Sequence, residues 1–382
     1  MRRLAIAILL ALCASPASSA TLRVERDGSA AYTTIQPAID AAAPGDTILI
    51  GPGHYTEHQT ATLHLWSWSI EVYALVRTDS LTIMGTDRDA VVIGPETAPG
   101  FYEFGPKGIV FDNVVGGDVS SLSCTNTYNG IYISTHGTGS AVVGSLFRGC
   151  GNGISAFCGG LLQVSDCVFE DCTGTGAICY DPTPRFELSR SVFNNNGYAV
   201  DVVATPSALI QNCVVTGGSV GIQFEQGSVG SIVDCRVTDT LICGIVSTDG
   251  ATVGLTRVNV TGGMYNLGIT GGRATGTDCV FGGGTRAAVY IPAWPRLTLH
   301  NCHILSEGGR LVELVKANEL PVIHADLRGN YWGIADRDSI AALIWDGTDD
   351  PTINGIVDFE PFSATPLPAE KKSLGGVKSL YR

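Results

Sequence analysis

The chain repeats itself, most plainly between Val164 and Cys302. Aligning Asp166-Cys167, Arg190-Ser191, Asn212-Cys213, Asp234-Cys235, Arg257-Val258, Asp278-Cys279 and Asn301-Cys302 puts the second members 24, 22, 22, 23, 21 and 23 residues apart. A Gly before an apolar pair follows most of them, as in Gly176-Ala177-Ile178, Gly221-Ile222 and Gly244-Ile245. A period of this size marks a stacked array, in which no unit buries its apolar face alone. Each period holds short apolar runs, many alternating, separated by Gly, Asn, Asp and Thr. That is strand chemistry. No helical pattern between Val114 and Leu327 is long enough for a crossover helix, so alternating βαβ units are excluded. A leucine-rich repeat needs Leu-x-x-Leu-x-Leu in every unit, and these units lack it. What remains is an all-β, single-stranded parallel β-helix with three strands per turn and about 22 residues per turn.

In-register turns stack equivalent side chains about 4.8 Å apart. Cys167, Cys213, Cys235, Cys279 and Cys302 then form a column, interrupted by Ser191 and Val258. It points inward, because Cys235 and Val237 share a face. Asn212, Asp234, Asp278 and Asn301 fall at a bend, where such side chains bond to local backbone. The chain after residue 20 has 11 cysteines, an odd number. Stacked neighbours have Cβ atoms nearer 4.8 Å apart than the ~3.8 Å of a disulfide, so the column reads as buried thiols. Cys124, Cys150, Cys158, Cys172, Cys179 and Cys243 are less constrained, and one or two disulfides among them stay open. No CxxC zinc pattern is present.

Residues 1–20 read as a secretory signal: Arg2 and Arg3, an apolar run from Leu4 to Leu12, then Ser18-Ser19-Ala20. The run is too short to span a bilayer, and no other segment is a membrane-span candidate. Cleavage near Ala20 would deliver a secreted, periplasmic or cell-surface product. The formal net charge of −13 argues against nucleic acid and anionic membranes as partners. A local basic patch would still admit acidic polysaccharide. With 48 Gly and 15% charged residues, the chain reads as one elongated, turn-rich domain. Its sections are 21–115 (N-terminal cap and first turns), 116–325 (central repeats), 326–367 (closing segment) and 368–382 (basic tail).

Thr21–Val24 is a first strand, and Tyr32 to Ala43 a short amphipathic helix with Thr33 and Gln36 at capping-box spacing. Such a helix covers an open sheet end that would otherwise pair with another chain. Leu81–Gly85 and Val91–Gly94 are strands of an early turn, and Asp338–Trp345 is a short helix.

Several stretches carry a resemblance. Asp27-Gly28-Ser29, Tyr32-Thr33-Thr34-Ile35-Gln36, Ala38-Ile39-Asp40-Ala41-Ala42, Gly45-Asp46-Thr47-Ile48 and Gly53-His54-Tyr55-Thr56-Glu57 resemble the opening of right-handed β-helix proteins of the pectin-lyase-like group, which includes pectin methylesterases. Gly329-Asn330-Tyr331-Trp332-Gly333, Asp349-Asp350 and Val357-Asp358-Phe359-Glu360-Pro361-Phe362 resemble the closing segment of bacterial members. The resemblance runs from about Thr21 to Leu367 and implies a right-handed helix with an N-terminal helical cap. It implies no activity. The Gln-Asp-Thr and Asp-Phe-Ile-Phe-Gly motifs of the esterases are missing, and of the polygalacturonase set only Asp349-Asp350 is present, in the cap. Arg148, Arg236, Arg257 and Arg273 are available as lyase-type bases, with no flanking motif. The lysines of the folded body are Lys107 and Lys316.

Four constellations remain. His54-Tyr-Thr-Glu57-His58 fits the letters of a metalloprotease motif, but that motif needs a helix and this one follows a strand. Asp346, Asp349, Asp350, Asp358 and Glu360 could hold calcium, though turn and cap bonding explains them as well. His300, His303 and His324 with Asp326 could meet on neighbouring turns for acid–base work; isolated surface or bend residues are the plainer reading. Trp66, Trp68 and Trp294 could stack on sugar rings or lie under a cap. The expectation is a monomeric carbohydrate-binding or cell-surface scaffold protein, its glycan partner unspecified, with no catalytic residue, metal site or cofactor identified. The alternative is a polysaccharide lyase or glycoside hydrolase acting on acidic polysaccharide in a lateral groove. The basic tail is either a disordered end or a sorting signal.

Overall fold

A computed structural model describes residues 19–64, 69–97, 105–136, 139–293, 296–315 and 323–367. The signal-like segment before Ser19, the basic tail, Trp66, Trp68, Trp294 and Lys316 lie outside these. The described chain winds into a parallel β-helix with three long sheets. Sheet A has 14 strands, from Thr21–Val24 to Gly355–Asp358; sheet B has 11, from Gly53–Tyr55 to His303–Ile304; sheet C has 13, from Gln59–Thr62 to Ile344–Trp345. Every strand pairing is parallel except Gln59–Thr62 with Ser69–Val76. Register partners sit one turn apart in sequence. In sheet C one inward column runs Ile131, Ile154, Ala177, Val200, Ile222, Ile245, Leu267, Val289 and Val312. The expected β-helix is the observed one.

The core is three such columns. Sheet A contributes Val142, Val164, Leu188, Ile210, Ile232 and Leu255. Sheet B contributes Phe147, Phe169 and Phe193, whose rings stack at 5.0 and 4.5 Å, then Val215, Val237 and Val260. All are buried. Opposite the phenylalanines, sheet C carries Gly130, Gly153 and Gly176, where an added Cβ would lie 2.5–2.8 Å from a ring carbon.

The bend between sheets A and B needs one left-handed residue per turn. Asp166, Arg190, Asn212, Asp234, Arg257, Asp278 and Asn301 have φ between 49° and 57°. Asn and Asp tolerate this conformation best among residues with a Cβ, which is why the repeat displays them. Several of these side chains pair along the axis: Arg190 with Asp166 at 2.6 and 2.8 Å, Arg257 with Asp234 at 2.6 and 2.8 Å, and Asn301 with Asp278. The inward neighbour of each bend residue bonds local backbone. The Cys167, Cys213, Cys235, Cys279 and Cys302 thiols each donate to the carbonyl two residues earlier, as does the Ser191 hydroxyl. All eleven described cysteines are buried free thiols, the six less constrained ones included.

Both ends are closed. Helix α1 covers Ile35–Ala41, shorter than the reading from Tyr32 to Ala43, and its N-cap Thr34 makes no side-chain cap bond. No capping box forms, because Gln36 is drawn to sheet C: it accepts from Leu75 N at 2.8 Å and donates to Leu75 O at 3.1 Å. At the other end α2 spans only Arg337–Ala341, capped by Asp336. Ile344–Trp345, expected to finish this helix, is instead the last strand of sheet C, since its backbone completes the edge beside Arg310–Leu314.

Candidate functional site

Most side chains on the outer faces of sheets A and B are exposed or half-buried. Sheet C is different. Six aspartate, glutamate and lysine side chains are buried in the described chain: Asp46, Lys107, Asp112, Asp201, Glu313 and Asp346. Asp46 and Asp346 tie the end segments, accepting from Ala20 N and Ala43 N, and from Thr348 N and Val357 N. The other four stand on strands of sheet C, on its outer side. Burying a charge is costly unless it is paired, so their concentration on one face needs a reason.

The N-terminal part of this face is held by Asp112. Its carboxylate accepts from His64 N, His64 Nδ1 and Arg77 Nε, each at 2.9 Å. These bonds hold its pKa below the usual range against the opposing effect of burial. Leu63 thereby packs on Val72, Leu75, Val110 and Tyr132, a small apolar cluster outside the main core. Beside it, the Lys107 ammonium bonds Asn129 Oδ1 and lies 4.5 Å from the ring centre of Tyr128 and 5.4 Å from that of Tyr132. Burial pushes its pKa down to about 8.

Half-exposed aromatics follow. Phe157 lies 5.7 Å from Tyr132 and stacks on Tyr180 at 4.5 Å, with 7° between the planes. One turn beyond Tyr180 comes Asp201, which pairs with Ile178 on one side and Gln223 on the other. It is 8% exposed. Burial, reinforced by the Glu225 carboxylate, pushes its pKa up to about 7. Its Oδ1 has no hydrogen-bond partner among the described residues. Gln223 Nε2 donates to Glu225 Oε2 at 3.0 Å. Farther along, Tyr265 and Tyr290 stack at 4.2 Å, and Glu313 takes Arg286 at 3.0 Å and Arg310 at 3.1 Å. The Arg310 guanidinium lies 4.4 Å over Trp345.

The residues singled out from sequence fall elsewhere. His54 Nε2 bonds Gly94 O at 2.8 Å, Glu57 pairs with Arg26, and His58 lies 4.0 Å from Glu71, so the three do not converge. Of the histidine set, His300 reaches Asp326 at 3.2 Å, whereas His303 bonds Leu367 O at 3.1 Å. His324 lies on sheet A in register with Arg296. Asp326 is held far below the usual carboxylate range, chiefly by Arg328 and also by His300. The closing acids are used locally: Asp346 and Asp350 accept from Thr348 and Thr352, and Glu360 pairs with Arg337. No group of three or more His, Cys, Asp or Glu among the described residues could hold a metal ion. Arg148 pairs with Glu170 on sheet B, Arg257 sits at the A–B bend, and Arg236 and Arg273 lie on sheets B and A; none lies on sheet C. Burial pushes the Cys167, Cys179 and Cys243 thiols up to about 12, which removes them as nucleophiles.

Comparison with known proteins agrees with this architecture. Residues 78–229 match the family model described as right handed beta helix region. No curated protein matches the sequence. Among solved structures, the periplasmic alginate epimerase AlgG superposes with a TM-score of 0.51 at 11% identity, over 75% of this chain and 77% of that one. The catalytic domain of a GH87 alpha-1,3-glucanase in complex with tetrasaccharides superposes with a TM-score of 0.50 at 14% identity, over 92% of this chain and 69% of that one. At these identities the likeness is one of fold. No helix among the described residues is long and apolar enough to cross a membrane.

Proposed function

We propose that this right-handed β-helix chain binds a polysaccharide along the outer face of sheet C. One observation carries the reading: stacked aromatic rings recur along the solenoid axis, half-exposed at Phe157, Tyr180 and Tyr290 and backed by the buried rings of Tyr132 and Tyr265. Stacked turns repeat every ~4.8 Å, close to the rise of one sugar in an extended glycan, and aromatic rings offer apolar faces to sugar C–H surfaces. The flanking half-exposed Asn152 and Gln223 supply donors and acceptors for hydroxyls. Polysaccharides are the named ligands of the epimerase and the glucanase that share the fold, which is consistent with the reading. Action outside the cytoplasm, as a monomer freed of its leader near Ala20, fits the same picture.

The test is retardation of the purified chain in gels containing neutral or acidic polysaccharides. The wild type is expected to be slowed by at least one of them. Phe157→Ala with Tyr180→Ala should weaken that binding about tenfold or more, the equivalent of ~1.4 kcal/mol, while the circular dichroism spectrum stays unchanged. Unchanged retardation in the double variant, or none in the folded wild type across a broad panel, would overturn the reading.

A further inference from the structure

Resting on that reading of the face, we propose that its middle is a hydrolytic site for a neutral glycan, with Asp201 as proton donor and Glu225 as the base that activates water. The starting observation is an anomaly. Asp201 stands on the outer side of a strand that otherwise reads Tyr-Ala-Val-Val-Val, is more than nine-tenths buried, and leaves Oδ1 without a partner among the described residues. A structural aspartate at such a place would be expected to fill both oxygens, as Asp112 and Glu313 do on the same sheet. Asp201 is therefore suited to remain a carboxylic acid and to donate.

The second carboxylate is placed by register. Asp201 pairs with Gln223 and Val203 with Glu225, so Asp201 and Glu225 are diagonal neighbours on one face. One strand spacing and two residues along the strand put their Cα atoms about 8 Å apart. Inverting hydrolysis needs the two carboxyl groups roughly 6.5–9.5 Å apart, with a water between acid and base, and this diagonal placement is the one we assign to it. Burial, reinforced by Glu225, pushes Asp201 up to about 7, and Tyr180, raised by burial and by Asp201 to about 12, stays a neutral phenol beside it. Gln223 donates to Glu225 and orients it.

The reaction balances without a further reactant. The bond from the anomeric carbon to the glycosidic oxygen breaks, and that oxygen takes the Asp201 proton. Water adds its oxygen to the anomeric carbon and gives a proton to Glu225. Transfer of one proton from Glu225 through solvent to Asp201 restores both groups. The sugar class follows from charge. The cations nearest in register on this face are Lys107 and Arg286, each four turns away, or about 19 Å. With Asp201 protonated, the Glu225 carboxylate, having no cation beside it in register, repels a uronate and accepts a neutral hexose. The stacked Phe157–Tyr180 pair lies next to the cleavage point and holds the adjoining sugar.

The experiment incubates the wild type, Asp201→Asn and Glu225→Gln with neutral polysaccharides and with polyuronates. It reads reducing ends, the anomer first formed (by proton NMR), and retention in the polysaccharide gels. The wild type should release sugars from a neutral polymer with inversion, and each variant should lose about 10²–10⁴-fold of that rate while still being retained. The basic limb of the pH profile should follow Asp201. No release from any neutral polymer by protein that is retained in the gels would sink the hydrolytic site and leave the binding function standing. Release undiminished in both variants, or release only from polyuronates, would overturn it equally. Loss of retention in the wild type would instead undo the binding function.

Discussion

Single residues here are chosen by backbone conformation first and by chemistry second. Arg190 and Arg257 show this best. Neither is a favoured left-handed residue, yet each occupies the left-handed slot of the A–B bend and grips the aspartate of the preceding turn. The slot fixes the conformation, and the axial neighbour then selects the side chain. Asp201 is the converse case, a residue whose chemistry opposes its place. Its folded pKa, about 7, lies above the ordinary carboxylate value of 3.8. The fold thus prefers the protonated form, and stability falls as pH rises from about 4 to about 7. Asp201→Asn removes that penalty. Its melting temperature should exceed that of the wild type by about 2–4 °C or more at pH 8, with little difference at pH 4. Equal melting temperatures at both pH values would contradict the burial argument. Asp201 was legible in the sequence in one respect: it is the lone charge in an apolar strand. It went unread because alternation cannot distinguish a solvated outer face from a covered one.

At the scale of elements, the three sheets are matched to one another by side-chain size. The phenylalanines of sheet B fit only because the facing positions of sheet C are glycine. An added Cβ at Gly153 would lie 2.6 Å from Phe169 Cδ1 and 2.5 Å from the Gly176 carbonyl oxygen. Gly153→Ala should therefore cost about 1–3 kcal/mol, and pairing it with Phe169→Leu should recover only part, because the backbone clash remains. Urea unfolding monitored by circular dichroism measures both; full recovery in the double variant would show that the carbonyl contact is relieved by backbone adjustment. The sequence displayed these glycines as the start of each apolar pair, and the strand reading followed. It did not display what they face, since that depends on which strand of the same turn lies across the core. The capping helices illustrate the same limit. Propensity and capping letters suggested longer helices, and the sheet backbone claimed Gln36 and Ile344–Trp345 for itself.

The whole molecule is a one-dimensional stack in which each turn touches its neighbours, so its stability should behave as a sum of turns and interfaces. Deleting residues 213–234, one full turn from ladder position to ladder position, joins Asn212 to Cys235 without breaking the repeat. The shortened chain should fold, keep its β-rich circular dichroism spectrum and melt at a modestly lower temperature. It should also lose Glu225 and with it glycan cleavage, while binding through Tyr132, Phe157 and Tyr180 persists. Failure to fold would show that the turns are not interchangeable. The sequence by itself determined the period, the inward cysteine column, the bend residues and hence the β-helix, because identical local requirements recur every turn and a repeated signal survives local ambiguity. Only the tertiary structure showed that Lys107, Asp112, Asp201 and Glu313 are buried together on the outer side of sheet C. Phe157 and Tyr180, Asp201 and Glu225, and Arg286 and Glu313 are each more than 20 residues apart in the chain, and whether such residues meet is set by register, which stacking alone fixes.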